Sequence, residues 1–146
     1  MLRGVPDGSD ARGNRYSYIH SPSELGVLDV NLAGAGGLIE SRQVVTEGFE
    51  HFQICFETSV ATTIRVDVAK GIYRFPRSFV SRARTPFATL AAIATTATQF
   101  HSIYFGVSTA ALFGMETYRF SRVLVLQFAN TGAPAASLTA WLECIG

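Results

Sequence analysis

The sequence predicts an all-β protein, an antiparallel β-sandwich or jelly roll preceded by an extended N-terminal arm. From residue 49 onward, short runs rich in β-branched, aromatic and leucine residues alternate with turn-forming residues. About seven or eight such runs at short spacing are typical of a sandwich. The last stretch, 121–145, holds two of these runs on either side of Asn130-Thr131-Gly132-Ala133-Pro134, which predicts an antiparallel hairpin.

The first part of the chain, residues 1–48, is predicted as the arm, and residues 49–146 as the sandwich domain. The arm holds eight of the thirteen glycines and shows no sustained alternation. Residues 25–32 alternate well enough for one short strand, whereas Ser21 followed by Glu24 would instead start a single helical turn. The glycine-rich residues 34–37 indicate a flexible joint. Because such a segment buries little surface on itself, we expect it to be disordered or to lie across a partner.

The predicted strands of the body follow from alternation. Residues 49–68 place apolar side chains at every second position, with a break at 59–61, and predict a second hairpin or one long bent strand. Residues 72–80 alternate weakly, and Pro76 restricts them to an edge or a loop. The threonines of residues 87–98 favour a strand over the helix that the spacing of Phe87 and Leu90 also permits. Runs at 101–107 and 118–128 complete the set.

The two runs of the predicted C-terminal hairpin are apolar on both faces. One face of each run is formed by Leu124, Leu126 and Phe128, and by Leu138, Ala140, Leu142 and Cys144, and the opposite faces by Val123, Val125, Trp141 and Ile145. A strand pair of this kind lies between two layers or beneath a neighbouring subunit.

Composition points to an assembly. The chain of 146 residues is 48% hydrophobic and only 16% charged, against about 25% charged in ordinary domains, and its mean hydropathy is +0.24. No run reaches the roughly 18–20 apolar residues of a membrane span, and the N-terminus shows no secretion signal. Such a chain most simply hides apolar surface against other copies; a monomer with an alanine- and threonine-rich surface is the alternative.

Charge is unevenly distributed along the chain. The net charge of +1 argues against nucleic-acid binding by the whole domain. Residues 65–84 carry six basic side chains against Asp67 alone, a balance of +5, whereas the first 50 residues carry four basic and seven acidic side chains, a balance of −3. Arginine and aromatic residues are enriched at protein interfaces. The candidate interface residues are Arg12, Arg15, Tyr16, Tyr18, Arg74, Phe75, Arg77, Phe79, Arg82 and Arg84; a solvated loop and nucleic-acid binding are the alternatives.

Catalytic and metal-binding patterns do not emerge from the sequence. The three histidines, His20, His51 and His101, stand far apart and lack metal-ligand spacing. A triad assembled from His51, Glu50 or Asp67 and a serine has no nucleophile-elbow motif to support it. Asp7, Asp10, Glu24 and Asp29 do not fit the spacing of a calcium loop. We therefore expect no enzymatic activity, no metal and no cofactor. Cys55 and Cys144 could pair if their strands were neighbours, but reduced structural thiols are favoured.

Residues 52–68, with their threonine-rich turn, the later run Phe120-Ser121-Arg122-Val123, and the closing Ser-Leu-Thr-Ala-Trp-Leu strand resemble the small β-sandwich domains of tailed-bacteriophage virions. The resemblance implies a structural subunit in the virion, assembled in the host cytoplasm. It implies a capsid decoration or cement protein that forms a homo-oligomer, with a trimer favoured, and anchors by its arm to the major capsid protein or another virion protein. A head-tail connector or tail-fibre component is the nearest alternative.

Two other classes of function remain open from the residues. A carbohydrate-binding sandwich would use Trp141, Tyr73 or Tyr104 as a platform on which a sugar stacks. A small hydrolase on a jelly roll would depend on His51 or His101.

Overall fold

The computed structural model describes residues 17–45, 49–70, 86–106 and 123–146. These residues form two five-stranded sheets in which every pairing is antiparallel. The elements are β1 (Ser17–His20), α1 (Pro22–Leu25), β2 (Val30–Leu32), β3 (Gly37–Glu40), β4 (Val44–Val45), β5 (His51–Thr58), β6 (Thr63–Lys70), β7 (Pro86–Ala94), β8 (His101–Gly106), β9 (Val123–Asn130) and β10 (Ala136–Ile145). The predicted antiparallel β-sandwich is confirmed.

The two sheets have a simple order. Sheet A runs β1-β10-β5-β8, and β2 also pairs with β10; sheet B runs β3-β9-β6-β7, and β4 also pairs with β9. No helix among the described residues is long and apolar enough to cross a membrane.

The core lies between the inner faces of the two sheets. Alternate residues of the central strands point inward and are buried, for example Phe52, Ile54 and Phe56 on β5. Phe56 meets Phe128 of the opposite sheet edge to face, with ring centroids 6.3 Å apart. Burying one such large apolar side chain contributes about 1.5–3 kcal/mol, so the interlocking of the two layers provides most of the stability.

The predicted C-terminal hairpin is wrong, because β9 and β10 lie in different sheets. β9 pairs with β3 and β6, whereas β10 pairs with β1 and β5. The connection at 131–135 therefore crosses from one layer to the other, a step of about 10 Å. The chain gains by crossing because the buried faces of β9 and β10 can pack against each other through the core, and each strand finds a long partner, β6 or β5, within its own sheet.

The same crossing replaces the predicted hairpin at 49–68. β5 belongs to sheet A and β6 to sheet B, and residues 59–62 connect them. The alternative, one long strand with a bend, is not observed either, because the two strands are separate and lie in different sheets. The predicted strand at 87–98 is confirmed as β7, which ends at Ala94.

The arm prediction is wrong for residues 17–45, which are neither disordered nor free of the body. Its four strands add to the edges of both sheets: β1 and β2 pair with β10, and β3 and β4 pair with β9. The backbone hydrogen bonds of these strand pairs offset the entropy lost when residues 17–45 become ordered. Amino-acid composition does not reveal this contribution. The flexible joint predicted at 34–37 is an ordered turn, in which the backbone N–H groups of Ala35 and Gly36 donate to carbonyls of Gly132 and Asn130, both at 2.7 Å.

The segment before β2 follows the helical alternative. Ser21 caps α1, and its hydroxyl oxygen accepts a hydrogen bond from the Glu24 N–H at 3.2 Å. Gly26 ends the turn with a φ of 72°, a conformation that glycine adopts without a steric penalty. The strand predicted at 25–32 is therefore reduced to β2, Val30–Leu32.

Candidate binding face

The outer surface of sheet A presents side chains from four neighbouring strands. Strand register sets Ile19, Glu143, Gln53 and Tyr104 in one row across β1, β10, β5 and β8. The adjacent row contains Trp141, Cys55 and Ser102. Because side chains alternate along a strand, the residues between these positions point into the core. We define the binding face as Ile19, Gln53, Cys55, Glu57, Phe100, Tyr104, Trp141 and Glu143.

The binding face exposes several large apolar side chains to solvent. The described residues expose six large hydrophobic side chains, and three of these lie here: Ile19 at 58%, Phe100 at 63% and Tyr104 at 60%. Phe100 also contacts the half-buried Trp141 edge to face, with ring centroids 5.4 Å apart. Clustered exposed rings of this kind mark a site of interaction.

A shallow hollow lies within the face. Ile19, Gln53, Cys55, Trp141 and Glu143 line this open hollow, which has a volume of about 290 Å³. Enclosed small-molecule sites occupy about 300–1,000 Å³ and surround their ligands. The hollow therefore suits a side chain or a ring that projects from a larger partner.

The charge of the binding face is negative. Glu57 and Glu143 both lie on it, and the hydrogen bonds and ion pairs within the described ranges include none for either side chain. The described arginines lie elsewhere: Arg65 pairs with Asp67 of sheet B at 3.0 Å, and Arg42 reaches the Ser23 carbonyl beside α1 at 3.5 Å. A cationic partner would therefore meet two carboxylates that have no counter-ion among the described residues.

Tyr104 is held at the edge of the face by His51. Its hydroxyl is hydrogen-bonded to Nδ1 of His51, and the two rings stack with centroids 5.8 Å apart. This contact orients the exposed ring before any partner arrives, which lowers the entropy lost on binding.

The structure keeps His51 apart from Asp67, one of the two acidic residues considered with it for a triad. His51 lies on sheet A and contacts Tyr104, whereas Asp67 is buried on sheet B beside Arg65. His101 accepts a hydrogen bond from the Thr96 N–H at 3.1 Å through Nε2, and His20 lies 3.5 Å from Glu24. The described part of the chain contains no group of three side chains able to hold a metal ion.

The two cysteines lie on neighbouring strands but on opposite faces of sheet A. Cys55 points outward opposite Trp141, and Cys144 points into the core opposite Phe52. Both thiols are free, which is the arrangement that the sequence favoured. Burial raises the pKa of Cys144 to about 12, and burial together with the nearby Glu57 raises the pKa of Cys55. Both thiols are therefore poor nucleophiles.

The interface predicted from sequence lies almost wholly outside the described residues. This holds for Arg12, Arg15, Tyr16, Arg74, Phe75, Arg77, Phe79, Arg82 and Arg84. Tyr18 is described: it packs against the core from β1, and its hydroxyl donates to Glu24 at 2.9 Å. This bond is the main reason that the pKa of Tyr18 is raised.

Sequence reasoning missed most of the binding face. Trp141 and Tyr104 were candidates for a stacking platform, but Ile19, Gln53 and Glu143 were not. The signal that could have found them is the outward register of β5 and β10, which becomes visible only once these strands are known to be neighbours.

Comparisons with known proteins assign no family. No family model matches the chain, and the search of curated proteins gives no match. A solved structure titled "Structure of infectious bursal disease virus Gx strain" is similar at 12% identity and a TM-score of 0.46, over 89% of this chain and 32% of the viral chain. A second, titled "CBM4 structure and function", is similar at 14% identity and a TM-score of 0.31, over 97% of this chain and 75% of that chain. The chain thus spans about a third of the viral chain, and the fold rests on its own strand pairing.

Proposed function

We propose that this protein is a non-enzymatic structural subunit of a virion, a capsid decoration or cement protein that self-associates and attaches to the shell. The observation that carries the proposal is the binding face, where Ile19, Phe100 and Tyr104 are each more than half exposed on the outer side of sheet A. Large hydrophobic side chains exposed together on one face mark a site of interaction. In a chain this poor in charge, contact with other protein surfaces is the simplest use of such a face.

The shape of the face supports docking rather than chemistry. The hollow is open and shallow, and its walls come from three strands of one rigid sheet. The histidines of the described ranges are engaged in hydrogen bonds or stacking with neighbouring residues. A rigid, preformed surface loses little entropy when it binds a protein.

Attachment is assigned to the N-terminal segment, residues 1–16, with the major capsid protein or another virion protein as its partner. Many weakly bound copies on one shell gain affinity by avidity. A trimer is the favoured oligomer, and a place at the head-tail junction or in a tail fibre would use the same surfaces.

The test measures the mass and the particle binding of three proteins. Wild type is compared with a face variant, Ile19→Ser/Phe100→Ser/Tyr104→Ser, and with a matched control, Leu28→Ser/Leu38→Ser/Val60→Ser. The control removes the other three large hydrophobic side chains that are exposed among the described residues. Mass photometry should show an oligomer for wild type and control, and a monomer for the face variant. Co-sedimentation with particles of the virus that encodes the protein should follow the same order. A wild-type monomer that ignores the particles would refute the proposal.

A carbohydrate-binding module is the second candidate. Trp141 and Phe100 form an aromatic corner beside the amide of Gln53 and the carboxylate of Glu143, and a sugar could stack on the rings while its hydroxyls bond to the polar groups. A glycan array probed with wild type and Trp141→Ala decides between the two. Glycan binding that the substitution abolishes, by a protein that stays monomeric, would favour this candidate.

A further inference from the structure

The charge of this protein is divided between the sandwich and the rest of the chain. The described ranges contain three basic residues, Arg42, Arg65 and Lys70, and seven acidic residues, Glu24, Asp29, Glu40, Glu50, Glu57, Asp67 and Glu143, a net charge of −4. The remaining residues contain nine basic and four acidic side chains, a net charge of +5. The two parts are therefore complementary.

One segment holds most of the positive charge. Residues 71–85 carry four arginines and no acidic residue, a charge of +4, together with Tyr73, Phe75 and Phe79. Residues 1–16 carry three arginines and two aspartates, and residues 107–122 carry two arginines and one glutamate, so each has a charge of only +1. On charge, residues 71–85 are the best match for an acidic surface in this chain.

The binding face offers the chemistry that such a segment needs. Guanidinium groups pair with carboxylates through two parallel hydrogen bonds and stack on aromatic rings. Glu57 and Glu143 supply the carboxylates, and Phe100, Tyr104 and Trp141 supply the rings. Glu143 lies opposite Gln53, four positions from Glu57 on β5, so the carboxylates are separated by about 13 Å.

We propose that the binding face of one copy takes residues 71–85 of a second copy, with arginines on Glu57 and Glu143 and aromatic side chains at the hollow. This inference rests on the self-association in the proposed function and names the surfaces that make it. The segment joins β6 to β7, both in sheet B, so its ends are anchored in the layer opposite the face. A second copy is chosen as the partner because self-association brings the face of one copy to the segment of another.

The geometry of such a contact determines the kind of assembly. Each copy contributes one face and one segment, and the two surfaces differ, so the contact is head to tail. Head-to-tail contacts generate a ring when the rotation closes. A closed trimer fits this rule and leaves no face uncovered.

The experiment is a reciprocal charge reversal in the full-length protein. One variant, Glu57→Arg/Glu143→Arg, makes the face basic; the other, Arg74→Glu/Arg77→Glu/Arg82→Glu/Arg84→Glu, makes the segment acidic. Each alone should self-associate at least about tenfold more weakly than wild type, because like charges meet. An equimolar mixture should recover association as mixed oligomers in which the two variants alternate, since only unlike copies are complementary. A ring of three copies would keep one repulsive contact, so mixed species with an even number of copies are expected. The control Thr89→Arg/Ala92→Arg adds charge at exposed positions of β7 in the opposite layer and should assemble as wild type does.

The outcomes separate this inference from the proposed function. Recovery of mixed oligomers by native mass spectrometry supports the inference. Variants that still self-associate like wild type, or a mixture that stays monomeric, overturn it while leaving the structural role intact. Trp141 fluorescence of wild type and of the segment variant is also compared while both are diluted until they are monomeric. If the two differ by the same amount at every dilution, the segment lies on its own copy and the second-copy proposal fails. If a charge-reversal variant does not fold, Glu57→Gln/Glu143→Gln takes its place. Self-association of this neutral variant should no longer weaken with added salt as that of wild type does. An unchanged salt dependence would overturn the inference.

Discussion

Asn130 shows how a single side chain directs the chain from one layer to the other. It is fully buried at the end of β9. Its Oδ1 accepts hydrogen bonds from the Thr62 hydroxyl at 2.6 Å and the Gly132 N–H at 3.1 Å, and its Nδ2 donates to the Pro134 carbonyl at 2.8 Å. Two of the crossings between sheets, at 59–62 and 131–135, are thereby joined by one amide.

Replacing this amide should be costly. Asn130→Ala leaves buried partners without hydrogen bonds, at about 1–3 kcal/mol for each unsatisfied group, so we expect a loss of about 2–4 kcal/mol in the free energy of unfolding. Denaturant unfolding measures it. The control is Thr131→Ala next door, an exposed residue with one hydroxyl contact to the Thr63 carbonyl at 3.3 Å, which should cost within about 0.5 kcal/mol. Equal effects of the two substitutions would contradict this role for Asn130.

His20 makes β1 sensitive to acid. Burial lowers the pKa of His20 below 6.5, although the neighbouring Glu24 opposes the shift. The unfolded chain therefore binds a proton more readily than the folded one, so stability is complete above pH 6.5 and falls as the pH decreases toward the folded pKa. Comparing wild type with His20→Gln from about pH 7.5 to about pH 5, we expect the advantage of wild type in unfolding free energy to shrink. An advantage that stays constant or grows on acidification would show that this sign is wrong.

Among the elements, β9 is the most enclosed. Its residues 124–130 are all buried, on both faces of the strand, because it lies between β3 and β6 in sheet B. The sequence indicated this enclosure through apolar side chains on both faces of the run. It could not indicate the sheet, since a run buried on both faces fits the centre of either layer.

A charge in the middle of β9 should prevent folding. Leu126→Asp places an unpaired carboxylate in the core, at a cost of several kcal/mol against a total stability of about 5–15 kcal/mol. Soluble yield and circular dichroism report the outcome. Leu38→Asp, at a 39% exposed position on the neighbouring strand β3, is the matched control and should fold. Normal expression and assembly of Leu126→Asp would overturn the placement of β9 in the core.

At the scale of the whole molecule, folding and attachment should be separable. The sheets are built by strands that begin at Ser17, so deleting residues 1–16 removes no described strand. We expect the truncated protein to keep the melting temperature and the oligomeric state of wild type while binding virus particles more weakly. Differential scanning fluorimetry and co-sedimentation measure the two properties. A truncated protein that binds particles as well as wild type would remove the anchoring role from this segment.

Much of this protein could be predicted from period-two alternation and from the scarcity of charge. Those patterns located β5, β6 and β10 and predicted a sandwich, because they report which side chains must leave water; the threonines of residues 87–98 located β7. The residues of the binding face were harder to predict from the sequence. Ile19 and Glu143 stand 124 positions apart by number yet face each other across β1 and β10, and nothing local in either run indicates that pairing.

The amino-acid sequence by itself determined that the chain is all β, where most of its strands lie, and that its surface is short of charge. Only the tertiary structure decided which strands are neighbours: that β9 and β10 part into different sheets, that residues 17–45 complete both edges, and that an acidic, aromatic face forms on sheet A. The physical reason is that the polarity of the side chains determines which residues are buried, whereas strands pair through backbone N–H and C=O groups that are the same in every strand. Partners are therefore selected by how two whole layers pack together.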